Sequence, residues 1–180
     1  MPGPTRAELL AAAKAFCDSF ARKESVEEIL SHFSSSSTAS DTKAGAEQRG
    51  NNHGDDEILV HEHGLPQLAP FLGRDFRGVE GAREYFETVG ARLHYEDMRF
   101  VEFIVDDNVS SSASAVGNGG GGKVVARGQA RFTWRETAQS WEETFVYVLL
   151  LDAWAKVRRY EVWADSGAAY LARRGELGSD

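Results

Sequence analysis

The chain holds a single cysteine, Cys17, among its 180 residues, so no disulfide can form within it. Cys17 falls on the apolar side of the first helical pattern, where a buried free thiol is expected. No run approaches the ~20 apolar residues of a membrane span. The opening MPGPTRAELL lacks the charged and apolar regions of a signal peptide, so a cytoplasmic or otherwise intracellular protein without a membrane partner is expected. Positive charge is also scarce: 20 Lys and Arg against 28 Asp and Glu leave a formal net charge of -8. Binding to phosphates depends largely on Lys and Arg, which argues against a nucleic-acid partner. The run GNGGGG contains no GKS or GKT and leads into no helix, so it reads as flexible chain and not as a phosphate loop.

What the chain does have is an ordinary globular composition, 42% hydrophobic and 27% charged. Its length suits one domain with a full core, spanning residues 1–180. Thr5 with Glu8, and Ser25 with Glu28, are candidate capping boxes ahead of apolar residues at helical spacing. The period returns from Val79 to about Leu93. Strand-like alternation marks 58–64, 95–106, 123–136, 141–151 and 154–164, and DSGAAYLARR suits a short helix capped by Asp165 or Ser166. Two low-complexity stretches, at about 34–57 and 107–122, read as loops. Helices followed by hairpin-linked strands give an α+β class with a curved antiparallel sheet wrapped around the N-terminal helices.

Alternation also assigns faces. In 123–136 the even residues, from Val124 to Trp134, are apolar and oppose Lys123, Arg127 and Arg131. In 141–151 the aromatic residues select the odd face, which includes Trp141, Glu143 and Tyr147. In the last strand an odd inward face places Glu161 and Trp163 in the same space as Glu143 and Trp141. A single β-bulge reverses that assignment.

Four residues carry candidate acid–base chemistry. His61 and His63 in HEHG share a strand face, whereas Glu62 points away from them. An imidazole near neutrality can take a proton from carbon and return it elsewhere. Glu143 and Glu161 sit among aromatics, where burial raises a carboxyl pKa into a working range. Tyr85, Phe86, Trp134, Trp141, Tyr147 and Trp163 are candidate walls for a substrate. Their plain alternatives are ion pairs for the carboxylates and solid core for the rings. No metal is expected, because the two histidines lack the HExxH spacing.

HFSSS, PFLGRDFRGVEGAREYF, SWEETFVYV and KVRRYEVWADSGAAY resemble successive landmarks of the NTF2-like superfamily, in particular its SnoaL-like branch. The resemblance covers residues 5–173 outside the low-complexity stretches. It implies an NTF2-like cone: three helices wrapped by a curved sheet, a cavity at one end, and often a homodimer through the outer sheet face. Its members include isomerases, dehydratases, cyclases, epoxide hydrolases and domains that only bind. The catalytic members place Asp, Glu or His in the cavity. The position of the catalytic aspartate in ketosteroid isomerase falls on about His61 to Gly64; no Asp stands there, and His63 is the nearest substitute, with Glu62 and His61 dependent on strand parity. The resulting expectation is a small-molecule-binding protein and homodimer. It would act as a cofactor-free isomerase, dehydratase or cyclase moving protons on an apolar oxygenated substrate. The alternative is a non-catalytic ligand-binding or assembly domain.

Overall fold

The computed structural model describes residues 3–35, 58–107 and 121–178. The two stretches expected as loops fall largely outside these. Helix α1 (Arg6–Ala21) and helix α2 (Val26–Leu30) both begin with the capping boxes read from the sequence. In each, the hydroxyl of Thr5 or Ser25 accepts the amide of the third helical residue, and Glu8 or Glu28 reaches back. These bonds occupy amide donors that the first turn cannot use internally. The buried stripe of α1 includes Leu9, Ala13, Phe16, Cys17 and Phe20. Burial pushes the Cys17 thiol well above its usual range, which keeps it an inert neutral group.

Two short strands follow, β1 (Leu59–Glu62) and β2 (Asp75–Arg77), then α3 (Gly78–Arg92). In the sequence, β2 is indistinguishable from turn-rich chain; three residues are too few to show alternation. The chain then runs through β3 (Leu93–Asp106), β4 (Gly122–Trp134), β5 (Gln139–Leu151) and β6 (Val157–Trp163), and ends in α4 (Ser166–Arg174). The sheet order is β2-β1-β6-β5-β4-β3. It is curved, unclosed and mixed, because β1 runs parallel to β6 while the other pairs are antiparallel. The curved sheet read from the sequence is thus antiparallel apart from this one pair. The exception arises where no hairpin joins the neighbours: β1 and β6 are separated by about half of the chain, so no tight turn imposes opposite directions.

On the concave side, Phe16 and Phe20 of α1 and Tyr85 and Phe86 of α3 meet Tyr147 and Tyr160 of the sheet at ring separations of 5.2–6.1 Å. Gly128 keeps that surface close-packed: a Cβ there would stand 2.4 Å from the Phe145 ring.

One irregularity decides which chemistry faces inward. Leu150 pairs with Arg159 but Leu151 pairs with Val157, so Arg158 is an extra residue in β6. Val157 points inward, as its odd position suggested. Past the bulge, inward residues are even: Tyr160 and Val162 are buried while Arg159 and Trp163 are exposed. The expected inward placement of Glu161 and Trp163 is therefore corrected to outward. No helix among the described residues is long and apolar enough to cross a membrane.

Candidate active site

A cavity of about 60 Å³ lies inside the sheet's curve, between β5, α3 and the start of α4. At ~10–15 Å³ per water-sized position, this holds about four to six such positions. The space suits a small ligand or the reacting end of a larger one.

Glu62 enters this space from the end of β1. Ile58, Val60 and Glu62 alternate inward, and all three are buried. The Tyr85 hydroxyl, from the inner side of α3, donates to Glu62 Oε2 at 2.6 Å. Burial raises the Glu62 carboxyl to about 8; the Tyr85 bond opposes that shift and the charge of Glu143 adds to it. Glu62 is thus a carboxylic acid that exchanges its proton near neutrality.

Glu143 lines the same cavity from β5 and is 8% exposed. Both of its oxygens are held: Trp141 Nε1 donates to Oε2 at 2.5 Å, and the Asp165 amide donates to Oε1 at 2.6 Å. Burial raises this carboxyl as well, and the two N–H donors pull it back toward ionisation. Trp141 stacks on Phe132 with ring centroids 5.8 Å apart, which fixes its indole over the cavity wall. Asp165 caps α4 by accepting the Ala168 amide at 2.9 Å, so the helix N-terminus is tied to the same corner.

Of the residues singled out in the sequence, Glu143, Tyr85, Trp141 and Tyr147 line the cavity. Phe86 and Trp134 do not; they are buried in the core. Trp134 packs obliquely on Phe71, and its buried Nε1 finds no hydrogen-bond partner among the described residues. His61, His63, Glu161 and Trp163 assemble on the opposite face of the sheet. There His63 stacks on Trp163 at 3.8 Å and lies 3.3 Å from Glu161 Oε2, while Arg159 holds the other oxygen. His61 Nδ1 sits 2.8 Å from Asp75 Oδ1, and Arg77 holds that carboxylate's second oxygen. The separation follows from register: His61 is level with Glu161, and Glu62 with Val162, across the β1–β6 pair. Among the described residues, no three His, Cys, Asp or Glu side chains converge as a metal-holding group.

In the sequence Glu62 stands only as a parity-dependent alternative to His63. Its signal is the alternation Ile58, Val60, Glu62, which continues an apolar face into an acid. The paired histidines of HEHG draw attention to the other face.

No family model matches the chain, and comparison with curated proteins yields no match. Solved structures do match. An NTF2-like protein from Burkholderia xenovorans LB400 superposes with a TM-score of 0.58 at 16% identity, covering 94% of this chain and 98% of that one. A ketosteroid isomerase-like protein from Erwinia carotovora atroseptica gives 0.56 at 15% identity over 88% and 95% of the two chains. The BvnE pinacolase of Penicillium brevicompactum gives 0.59 at 15% identity over 97% and 96%. The fold is NTF2-like, as the sequence landmarks implied.

Proposed function

We propose that the cavity binds a small oxygenated molecule and moves a proton on it without a cofactor, in the manner of an isomerase, dehydratase or cyclase. One observation carries the reading: an apolar cavity holds two carboxyl groups whose surroundings set them to different tasks. Glu62 stores a proton that it releases near neutrality, while Glu143 is braced as an acceptor by two N–H donors. With a carbonyl compound bound, Glu143 takes a proton from the carbon beside the carbonyl as Glu62 gives its proton to the carbonyl oxygen. The C–H bond breaks, an O–H bond forms, and the enol is neutral. Reversal at a different carbon completes an isomerisation, and loss of a β-hydroxyl as water completes a dehydration. Tyr85 holds Glu62 in place throughout. His63, His61 and Glu161, the sequence-based candidates for this chemistry, give up their roles because their side chains lie across the sheet. Neighbours named as ketosteroid isomerase-like and as a pinacolase support this class of rearrangement, although fold alone does not choose a chemistry.

The test runs on generic carbonyl compounds. Small ketones and unsaturated ketones are incubated with the protein in heavy water, and deuterium uptake beside the carbonyl is followed by NMR. The wild type accelerates exchange for at least one compound class, and Glu62→Gln lowers that rate by about 10²-fold or more. Equal exchange in the two proteins removes Glu62 from the mechanism.

A second copy of the chain is the proposed partner on the outer sheet face. Ile104 and Trp163 are exposed there, and Val125, Val146, Val148 and Leu150 form a half-buried apolar row between them. Light scattering across a dilution series checks it: Ile104→Glu with Val148→Glu shifts the mass to that of a monomer. An intracellular setting completes the reading.

A further inference from the structure

The cavity carries an imbalance that proton transfer alone does not require. Among the described residues, three acidic side chains line it, Glu62, Glu143 and Asp165, and no Lys, Arg or His does. Aromatic and aliphatic side chains share the rest of the wall, with Tyr85, Trp141, Phe132 and Tyr147 among those lining the same small volume. The positive end of α4 offers little compensation, because the Asp165 carboxylate occupies the Ala168 amide and Glu143 occupies the Asp165 amide.

From this juxtaposition we infer that the cavity selects a small organic cation, an oxygenated substrate bearing a basic nitrogen whose ammonium group lies between the Glu62 and Glu143 carboxyls and the aromatic walls. The inference rests on reading the cavity as the ligand site and adds the ligand's charge to it. Each alternative fits less well. An anion would face three acidic groups with no counter-charge. A neutral ligand would leave the charge of Glu143 opposing the ionisation of Glu62. An ammonium relieves that opposition, donates up to three hydrogen bonds, and is attracted to ring faces. Tyr85 engages only Oε2 of Glu62, and among the described residues no hydrogen bond is made to Oε1, so an acceptor remains for the incoming N–H.

Binding is then linked to protons. The charged and titratable groups around Glu62 are Tyr85 from α3, Glu143 and Tyr147 from β5, Tyr160 from β6, and Asp165 at the start of α4. None is basic. A cation favours the ionised form of Glu62, so affinity rises as pH rises through the range where Glu62 gives up its proton, about 8, whereas the proton transfer proposed above uses the complex formed at lower pH, in which Glu62 keeps that proton.

The experiment compares three probes of equal size and different charge: n-butylammonium, 1-butanol and butyrate. The reporter is the Trp141 indole N–H, one of four tryptophan signals in a ¹H–¹⁵N spectrum, assigned with Trp141→Phe. Titrations run to about 50 mM at about pH 6 and about pH 9, where the amine remains charged. The expected result is saturable movement of the Trp141 signal by butylammonium, about tenfold tighter than butanol, with no movement by butyrate. Affinity for butylammonium rises about tenfold between the two pH values, and Glu62→Gln abolishes the rise. Glu143→Gln weakens binding about tenfold at both, with dispersed spectra certifying that each variant is folded. Butanol binding as tightly as the amine, or butyrate binding at all, overturns the charge selection and leaves the ligand-site reading standing. Failure of all three probes to move Trp141 overturns both.

Discussion

The two faces of the β1–β6 pair use the same kinds of residue under opposite rules. Outside, each carboxylate meets a cation: Glu161 has Arg159 and His63, and Asp75 has Arg77 and His61. Inside, Glu62 has a phenol and Glu143 has an indole and a backbone amide, and among the described residues no cation lines the cavity. His61 and Arg77 hold the outer Asp75 carboxyl below its usual range. Burial without such partners raises both inner carboxyls, Glu62 to about 8. An acid therefore acquires a working pKa from what the fold withholds from it as much as from what it supplies.

The sharpest way to break this contrast is to place another acid on the inner face. Val162→Glu, level with Glu62 and with no available cation, is expected to cost ~4 kcal/mol or more in urea unfolding, or to prevent folding. The adjacent outward change, Glu161→Val, is expected to stay within about 1 kcal/mol. Similar costs for the two would erase the distinction between faces.

The next effect concerns pH. Between the ordinary glutamate value of 4.5 and about 8, folded Glu62 keeps a proton that the unfolded chain has released. Unfolding in that window releases a proton, so this group's contribution to stability falls as pH rises and is flat above the window. Glu62→Gln removes the slope, and at about pH 9 the variant is expected to exceed wild type by a few kcal/mol. Chemical unfolding at several pH values reads both; parallel curves for the two proteins would mean that the inner face does not shift Glu62.

A smaller effect tests the corner where α4 meets the cavity. Asp165→Ala removes the cap and is expected to cost ~1 kcal/mol, with faster amide exchange confined to 166–174. Smallest of all, His63→Ala leaves deuterium uptake by ketones within about twofold and stability within ~1 kcal/mol, because the ring lies partly exposed across the sheet. A large loss of exchange in His63→Ala would return the chemistry to the outer face.

Much of the architecture is legible in the sequence because it is written locally. Capping boxes declare themselves within four residues, and the stripe of α1 repeats over sixteen. The landmarks from FRGVEGAREYF to KVRRYEVWAD point to the cone. The site is legible only in part. Glu143 sits on a long strand whose aromatics reveal its inner face. Strand β1 is four residues long, and its parity has to be chosen between two histidines and one glutamate. The inward face of β6 is not recoverable by alternation, since a bulge depends on how Leu150 and Leu151 pair with a neighbouring strand. The sequence RRYE contains no mark of it.

That extra residue makes β6 resemble a text with two reading frames. In the frame the protein uses, the cavity side carries Tyr160 and Val162, and the solvent side carries Arg159, Glu161 and Trp163. Deleting one residue at Arg158 while keeping Val157 and the ladder beyond it in place would exchange the frames at a stroke, drawing a glutamate and an indole into the cone and expelling a phenol. A single codon thus separates this cavity from one with a different inventory of acids and rings, a larger change in chemistry than any one substitution in its wall can make.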